Sequence, residues 1–232
     1  MSQEESTVEK KKLRRRILAP ALFLFALIAA FLILRTFQWS QESDSASLLT
    51  LIDAEHPVED GYNVEFTLLG EGQMLDSRCV NDYEAMIAAC TQAGGRPVLK
   101  ASFRTAEAQA EVYEQTIAAL MEGGMSRAWA EQVASKQTEA PGCSEHQLGL
   151  AVDLLEEGCE LSDEEQDKTL TLRWLQENAW RYGFILRYPA GKTQQTGKTY
   201  RPCHFRYVGV SAAEQMHELD LTLEEYLQMF YS

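Results

Sequence analysis

Two short segments of the chain carry side chains that could bind a metal ion. Residues 144–153 read Ser-Glu-His-Gln-Leu-Gly-Leu-Ala-Val-Asp, which places His146 seven residues before Asp153. Residues 201–207 read Arg-Pro-Cys-His-Phe-Arg-Tyr and add a second imidazole, His204. Two histidines and one aspartate suit a zinc ion with one open coordination position, the arrangement that a hydrolytic site needs. The alternative is that some of the four histidines lie near carboxylates by chance.

The first segment must bend if its two polar side chains share a metal. A straight strand would separate His146 from Asp153 by up to about 23 Å at roughly 3.3 Å per residue. Gly149 is the residue that permits the bend. Beyond it, Leu150 and Val152 face one side of an extended segment while Asp153 faces the other, among apolar residues. A buried carboxylate needs a partner, which is either a metal cation or an arginine or backbone amide.

Four motifs in order along the chain carry a resemblance to a known family. They are residues 102–105 (Ser-Phe-Arg-Thr) with Gln109, residues 144–153, residues 182–189 (Tyr-Gly-Phe-Ile-Leu-Arg-Tyr-Pro), and residues 202–209 (Pro-Cys-His-Phe-Arg-Tyr-Val-Gly). Together they resemble the zinc D-alanyl-D-alanine carboxypeptidases of the VanY-like peptidase family, peptidase M15. The resemblance extends over about residues 48–213 and implies a small α+β domain of the hedgehog/DD-peptidase-like type.

The resemblance implies a role for each matched polar residue. It implies a zinc ion held by His146, Asp153 and His204. It also implies substrate binding by Arg104, Gln109 and Ser144, with Arg104 and Ser144 near the terminal carboxylate or the oxyanion. The implied reaction is removal of the C-terminal D-alanine from peptidoglycan stem peptides by a water molecule that zinc activates. Independently of the family, the Arg104 guanidinium offers a carboxylate a fork that lysine could not match, although a structural salt bridge is the alternative.

Position 201 departs from the family pattern. The family usually has Glu-Pro-Trp-His, with the glutamate as general base, whereas this chain has Arg201 three residues before His204. A guanidinium cannot accept a proton, and loss of a general base typically lowers the rate by about 10² to 10⁴. The base is therefore unknown, and Glu139 and Glu145 are candidates to replace it. The alternative functions are a weak or inactive homologue that binds peptidoglycan peptides, and a purely structural surface domain.

Hydrophobic periodicity predicts helices and strands that do not alternate regularly, which favours an α+β fold. The predicted strands are 64–68, 97–102, 148–155, 184–188 and 205–208. The predicted helices are 76–91, 106–121, 126–136, 162–182, 211–219 and 222–231. Ser162 with Glu165, and Thr222 with Glu225, predict capping boxes.

The N-terminal part has the pattern of a membrane anchor. Residues 17–34 are 18 consecutive uncharged and mostly apolar residues, preceded by six Lys or Arg between positions 10 and 16. The positive-inside rule predicts a cytoplasmic segment 1–16, an anchor at 17–36, a polar stalk at 37–47, and a catalytic domain at 48–232 outside the cell membrane. A cleaved signal peptide is the alternative, but the apolar run is longer than usual for one. The net charge of -14 argues against nucleic acid as a partner.

Five cysteines in a domain outside the cytoplasm allow two disulfides. Cys79 and Cys90 lie in one predicted helix, about 16 Å apart at 1.5 Å per residue, and should not pair with each other. Cys143 and Cys203 closely precede the two histidines, so a bridge between them is a hypothesis, with Cys159 as an alternative partner. Cys203 as a fourth metal ligand is a further alternative, which would close the site.

Overall fold

The computed structural model describes residues 47–59, 61–159 and 163–231. A single compact unit begins at Leu48. The predicted basic segment 1–16, the anchor 17–36 and the stalk up to residue 46 lie outside the described residues. Within the described ranges, no helix has the length and apolar character needed to cross a membrane.

Strands and helices follow one another irregularly, as expected for an α+β domain. The strands are β1 (Phe66–Gly70), β2 (Gln73–Asp76), β3 (Pro97–Ala101), β4 (Ala151–Glu156), β5 (Phe184–Leu186) and β6 (His204–Tyr207). The longer helices are α1 (Val80–Gln92), α2 (Ala106–Glu122), α3 (Arg127–Gln137), α5 (Leu170–Asn178), α7 (Val210–Leu219) and α8 (Leu223–Phe230). Short helices are α4 (Asp163–Gln166) and α6 (Thr193–Thr196), with 3₁₀ turns at Glu145–Leu148 and Ala179–Tyr182.

The central sheet has four strands in the order β3-β4-β6-β5, and each neighbouring pair is antiparallel. In the register of β4 and β6, Asp153 lies directly opposite His204 and Val152 lies opposite Phe205. Because side chains alternate along a strand, Val152 and Phe205 share one face and Asp153 and His204 share the other. The sheet therefore has an apolar face and a face that carries the polar pair.

The apolar face is covered by helices α1 and α5. Val152, Leu154 and Phe205 pack there with Met86 of α1 and Leu172 of α5, and each of these side chains is fully buried. A second cluster joins α7 and α8 to β5, and a third lies between α2 and α3. Burial of these apolar side chains, each stabilising by about 1.5 to 3 kcal/mol, fixes the sheet against the helices.

Most predicted elements are confirmed to within a few residues, including the capping box of Thr222 and Glu225 at α8. Two predictions were wrong in detail. The first helix begins at Val80 because Asp76 ends strand β2, where its carboxylate accepts a hydrogen bond from the Arg78 amide. The predicted helix 162–182 is divided, because the Thr169 hydroxyl caps a new helix, α5. The predicted cap residue at 162 lies outside the described residues.

Gly149 makes the bend that the sequence predicts within the segment 144–153, between His146 and Asp153. It has a φ of 70°, a left-handed conformation that glycine adopts without strain, and it ends the 3₁₀ turn containing His146. A Cβ atom at this position would lie 2.6 Å from Phe66 Cε1 and 2.9 Å from the Asp76 amide nitrogen. Glycine is therefore required here for both its conformation and its size.

Replacing Gly149 by alanine should destabilise the fold more than the same change at Gly158. Gly158 has a nearly identical φ of 68°, but an added Cβ would meet nothing within 4 Å. The control Gly158→Ala should cost about 1 kcal/mol of unfolding free energy through backbone strain alone. Gly149→Ala adds a steric clash and should cost about 2 to 4 kcal/mol in total. Urea unfolding of both variants tests this, and equal losses would contradict it.

Candidate metal centre

Three side chains from two strands and a 3₁₀ turn converge on the polar face of the sheet. His146, Asp153 and His204 each offer one ligand atom, and these three atoms lie within 4.8 Å of one another. The β4 and β6 register brings Asp153 beside His204, and the bend at Gly149 returns His146 to the same place. The structure therefore brings together the three residues that the sequence predicts as metal ligands.

The orientation of the His146 ring shows which nitrogen faces the carboxylate. Its Nδ1 donates to the Ser102 carbonyl oxygen at 2.7 Å, because a carbonyl can only accept. In the neutral ring Nε2 then carries a lone pair, and this atom lies 3.3 Å from Asp153 Oδ2. Among the described residues, buried Nε2 has no hydrogen-bond partner. A buried lone pair close to a carboxylate oxygen, with no hydrogen bond between them, is what a cation bound by both groups would satisfy.

His204 is held on both of its ring nitrogens. Nδ1 lies 2.8 Å from Asp153 Oδ1, and Nε2 lies 3.5 Å from Glu145 Oε2. The Tyr188 ring stacks on the imidazole with 5.2 Å between the ring centres. The contact with Glu145 orients the ring, which is the role that carboxylates commonly have behind a metal-binding histidine.

Glu145 belongs to a buried network of charges behind the ligands. Its Oε1 accepts hydrogen bonds from Arg187 Nε at 2.7 Å and from Arg206 Nη1 at 2.8 Å. Arg187 also forms a bidentate pair with Glu224 of α8, and Arg206 donates to the carbonyl oxygens of Leu48 and Thr50. The network thus connects the histidine to the start of the folded unit and to its last helix.

The electrostatic balance keeps the carboxylates ionised. Burial opposes ionisation of Asp153, but the two histidines outweigh it and hold its pKa well below the usual range. The pKa of Glu145 is likewise far below its usual value, because Arg187 and Arg206 outweigh the effect of burial. Burial lowers the pKa of His146, which favours the neutral ring that a metal requires.

Arg104 lies beside the ligands, in the short connection between β3 and α2. Its Nη2 is 4.0 Å from Asp153 Oδ2, and its buried Nε has no hydrogen-bond partner among the described residues. The residue also lines a cavity of about 350 Å³, with the aromatic residues Tyr62, Phe66 and Phe103. A guanidinium with an unfilled donor therefore stands between the metal cluster and an accessible cavity.

The other two predicted substrate residues are buried and make structural contacts. Ser144 accepts a hydrogen bond from the His146 amide at 3.4 Å and so caps the 3₁₀ turn. Gln109 Nε2 donates to the Glu139 carbonyl oxygen at 2.6 Å, which fixes the loop before the segment 144–153. Substrate contacts by Ser144 and Gln109 stay predictions.

Arg201 lies next to the metal cluster, where the family pattern has its base. Its Nη1 donates to both carboxylate oxygens of Glu139, at 2.9 and 3.2 Å, and its Nη2 lies 3.7 Å from Asp153 Oδ1. Burial raises the pKa of Glu139, but Arg201 outweighs that effect and brings the pKa to about 2. Of the two candidate replacement bases, Glu145 is engaged on both oxygens and Glu139 is paired with Arg201.

None of the five cysteines, all of which lie in the described part of the chain, forms a disulfide. The hypothesis of a bridge between Cys143 and Cys203 is therefore wrong, as is the alternative with Cys159. The cluster of metal-binding groups found among the described residues contains no cysteine, so Cys203 is not placed as a fourth ligand. Cys203 pairs through its backbone with β4, where its carbonyl accepts from the Leu154 amide.

The predictions from the sequence do not include two features of the site. One is the charge network of Arg187 and Arg206 around Glu145, although all three residues lie within the quoted motifs. The two arginines lie in otherwise apolar strand segments, and a buried arginine needs an acidic partner, so the pattern indicates such a network. The other is the pairing of Arg201 with Glu139, which are 62 positions apart and have no local signal that links them.

Comparison with known proteins identifies the family. The family model of VanY, described as D-alanyl-D-alanine carboxypeptidase, matches residues 72–210. The chain belongs to the VanY family. A D-alanyl-D-alanine carboxypeptidase of Enterococcus faecalis is 37% identical over 179 residues, which is 77% of this chain and 65% of that relative. The chain thus spans slightly less than two thirds of the relative's length.

Solved VanY structures have the same fold. A VanY D,D-pentapeptidase from a VanB-type resistance cassette, in complex with Zn(II), superposes with a TM-score of 0.71 at 37% identity. The match covers 77% of this chain and 98% of that one. VanYB in complex with D-alanine-D-alanine gives a TM-score of 0.72 at 37% identity, over 78% and 98% of the two chains. These likenesses confirm the predicted α+β zinc-peptidase fold.

Zinc binding by this VanY-family chain should depend on the predicted ligands. His146→Ala and His204→Ala should each lower zinc affinity by at least about 100-fold, because each removes one of three ligands. His217→Ala is the matched control, since His217 stacks on Trp180 away from the cluster. Competition titration with a fluorescent zinc chelator measures this. Unchanged affinity in either ligand variant would contradict the assignment.

Proposed function

We propose that this chain is a zinc D-alanyl-D-alanine carboxypeptidase that removes the C-terminal D-alanine from peptidoglycan stem peptides. The observation that carries the proposal is the convergence of His146, Asp153 and His204, with a buried imidazole nitrogen close to a carboxylate and without a hydrogen-bond partner among the described residues. Membership of the VanY family, and relatives solved with Zn(II) and with D-alanine-D-alanine, support the choice of metal and of substrate.

The three ligands would hold zinc through imidazole and carboxylate atoms, a donor set that zinc accepts in hydrolytic sites. When bound, zinc supplies a water molecule of lowered pKa and polarises the scissile carbonyl group. The residues of the chain provide orientation and charge. Ser102 and Glu145 fix the two imidazoles, and Arg104 offers donors to the carboxylate or carbonyl oxygens of a peptide in the adjoining cavity.

A slow enzyme, or a homologue that only binds peptide, is the second candidate function, and one specific observation favours it. Position 201 carries a guanidinium, and the nearest alternative carboxylate, Glu139, is tied to that guanidinium. A carboxylate with a pKa of about 2 is a weak proton acceptor near neutral pH. We therefore propose turnover about 10² to 10⁴ below that of a site with an unpaired glutamate base.

Restoring a glutamate at position 201 should raise the rate. The test variant is Arg201→Glu combined with Glu139→Gln, because the single change would leave two buried carboxylates side by side. With zinc and a saturating concentration of a peptide ending in D-Ala-D-Ala, we expect slow release of D-alanine by the wild type and release at least about 10-fold faster by the double variant. Arg96→Glu, on the protein surface, serves as the control.

Two results would change the conclusion. If zinc binds but neither the wild type nor the double variant releases D-alanine, the chain is a peptide-binding homologue and the enzyme proposal fails. If both release D-alanine at the same rate, the proposal that position 201 limits turnover fails.

We also propose that residues 17–36 anchor the protein in the cell membrane, with residues 1–16 in the cytoplasm and the domain outside. The uncharged run at 17–34 and the basic residues before it support this. Protease added to intact cells should digest or release the domain, and deleting residues 1–36 should move the protein to the soluble fraction. Protection from protease in intact cells would contradict the orientation.

A further inference from the structure

Two guanidinium groups flank the Asp153 carboxylate, one beside each oxygen. Arg201 Nη2 lies 3.7 Å from Oδ1, and Arg104 Nη2 lies 4.0 Å from Oδ2. Both distances are too long for direct hydrogen bonds, which need 3.5 Å or less. The side chains of all three residues keep between 13% and 16% of their surface exposed, whereas His146 and His204 are almost completely buried. The accessible side of the metal cluster is therefore bordered by two positive charges.

Arg201 is held rigidly in this position. Both oxygens of Glu139 accept from its Nη1, and its guanidinium carbon lies 5.6 Å from the centre of the Tyr188 ring. Glu139 is itself fixed, because its backbone carbonyl accepts from buried Gln109 and the carbonyl of the preceding Thr138 accepts from Lys198. A guanidinium ordered before the ligand arrives loses little entropy on binding, which strengthens recognition.

The guanidinium groups of Arg104 and Arg201 favour a negatively charged ligand. A guanidinium remains charged and offers only donors, and buried Arg104 Nε has no partner among the described residues. Asp153 alone cannot satisfy both arginines while it also serves the metal. An incoming carboxylate could accept from both, since planar guanidinium groups match carboxylate oxygens in geometry.

We propose that Arg201 binds the C-terminal carboxylate of the peptide in this site, beside Arg104, for which the family resemblance already implies such a contact. The inference rests on the proposed function and deepens it, since it assigns to position 201 an anion-binding role in place of proton acceptance. It follows that Arg201 contributes to the affinity for a free C-terminal carboxylate, which the proposed carboxypeptidase function requires. The shortened peptide and the released D-alanine both carry such a group, so each product competes with the substrate.

The test compares an acid with its amide. Full-length protein in detergent and loaded with zinc is titrated calorimetrically with the dipeptide D-Ala-D-Ala and with its C-terminal amide. The wild type should bind the acid at least about 10-fold more tightly than the amide, because a charge-assisted hydrogen bond is lost in the amide. Arg201→Gln should weaken binding of the acid by about 10-fold or more and change binding of the amide by less than twofold.

A second variant separates loss of binding from loss of folding. Arg201→Gln leaves Glu139 buried without its partner, so the double variant Arg201→Gln with Glu139→Gln removes both charges together. It should show the same selective loss for the acid, with zinc affinity and thermal unfolding close to those of the wild type. Arg96→Gln, on the surface, is the matched control and should change neither affinity.

Three results would overturn the inference. Unchanged affinity of the double variant for the acid, or an equal loss for acid and amide, shows that Arg201 does not bind the carboxylate. A double variant that turns over more slowly but binds the acid as tightly as the wild type places Arg201 at the reacting carbonyl instead. Failure of the wild type to bind either peptide or to release D-alanine overturns the proposed function itself, which distinguishes the two failures.

Discussion

The antiparallel register of β4 and β6 is the constraint on which the site depends. It places Asp153 directly opposite His204 and, one residue away, Val152 opposite Phe205. A shift of this register by one residue would point a polar side chain into the apolar core and an apolar side chain toward the site. The hydrophobic face packed under α1 and α5 therefore selects the geometry of the metal ligands, and packing energy determines where the chemistry can occur.

Behind the ligands, buried charges arranged in pairs determine how the site is oriented. Glu145 accepts hydrogen bonds from Arg187 and Arg206, which are almost fully buried, and its other oxygen lies near Nε2 of His204. Removing one member would leave an uncompensated buried charge, which typically costs about 3 to 5 kcal/mol. The same reasoning applies at the accessible side of the site, where Arg201 and Glu139 form an ion pair. This pairing makes the Glu139 carboxylate a poor replacement for the general base that position 201 lacks.

Local patterns in the sequence were sufficient for most of the fold and for the ligand set. The length of the segment from His146 to Asp153 demanded a bend, and Gly149 provides it with its left-handed backbone. The division of the predicted helix at Thr169 and the hairpin strand β2 were missed, because a capping hydroxyl and a four-residue strand give weak periodic signals. The ion pair of Arg201 with Glu139 could not be predicted, since it is set by tertiary packing between distant loops.

We propose that two histidines and one aspartate, without cysteine, form a zinc site on this domain. X-ray absorption spectroscopy at the zinc edge of the zinc-loaded protein tests it most directly, because nitrogen and oxygen ligands are separated from sulfur by bond length. We expect nitrogen and oxygen neighbours at about 2.0 to 2.2 Å, with the imidazole signal reduced by half in the His204→Ala variant. A sulfur neighbour at about 2.3 Å, or an imidazole signal unaffected by that substitution, would contradict it.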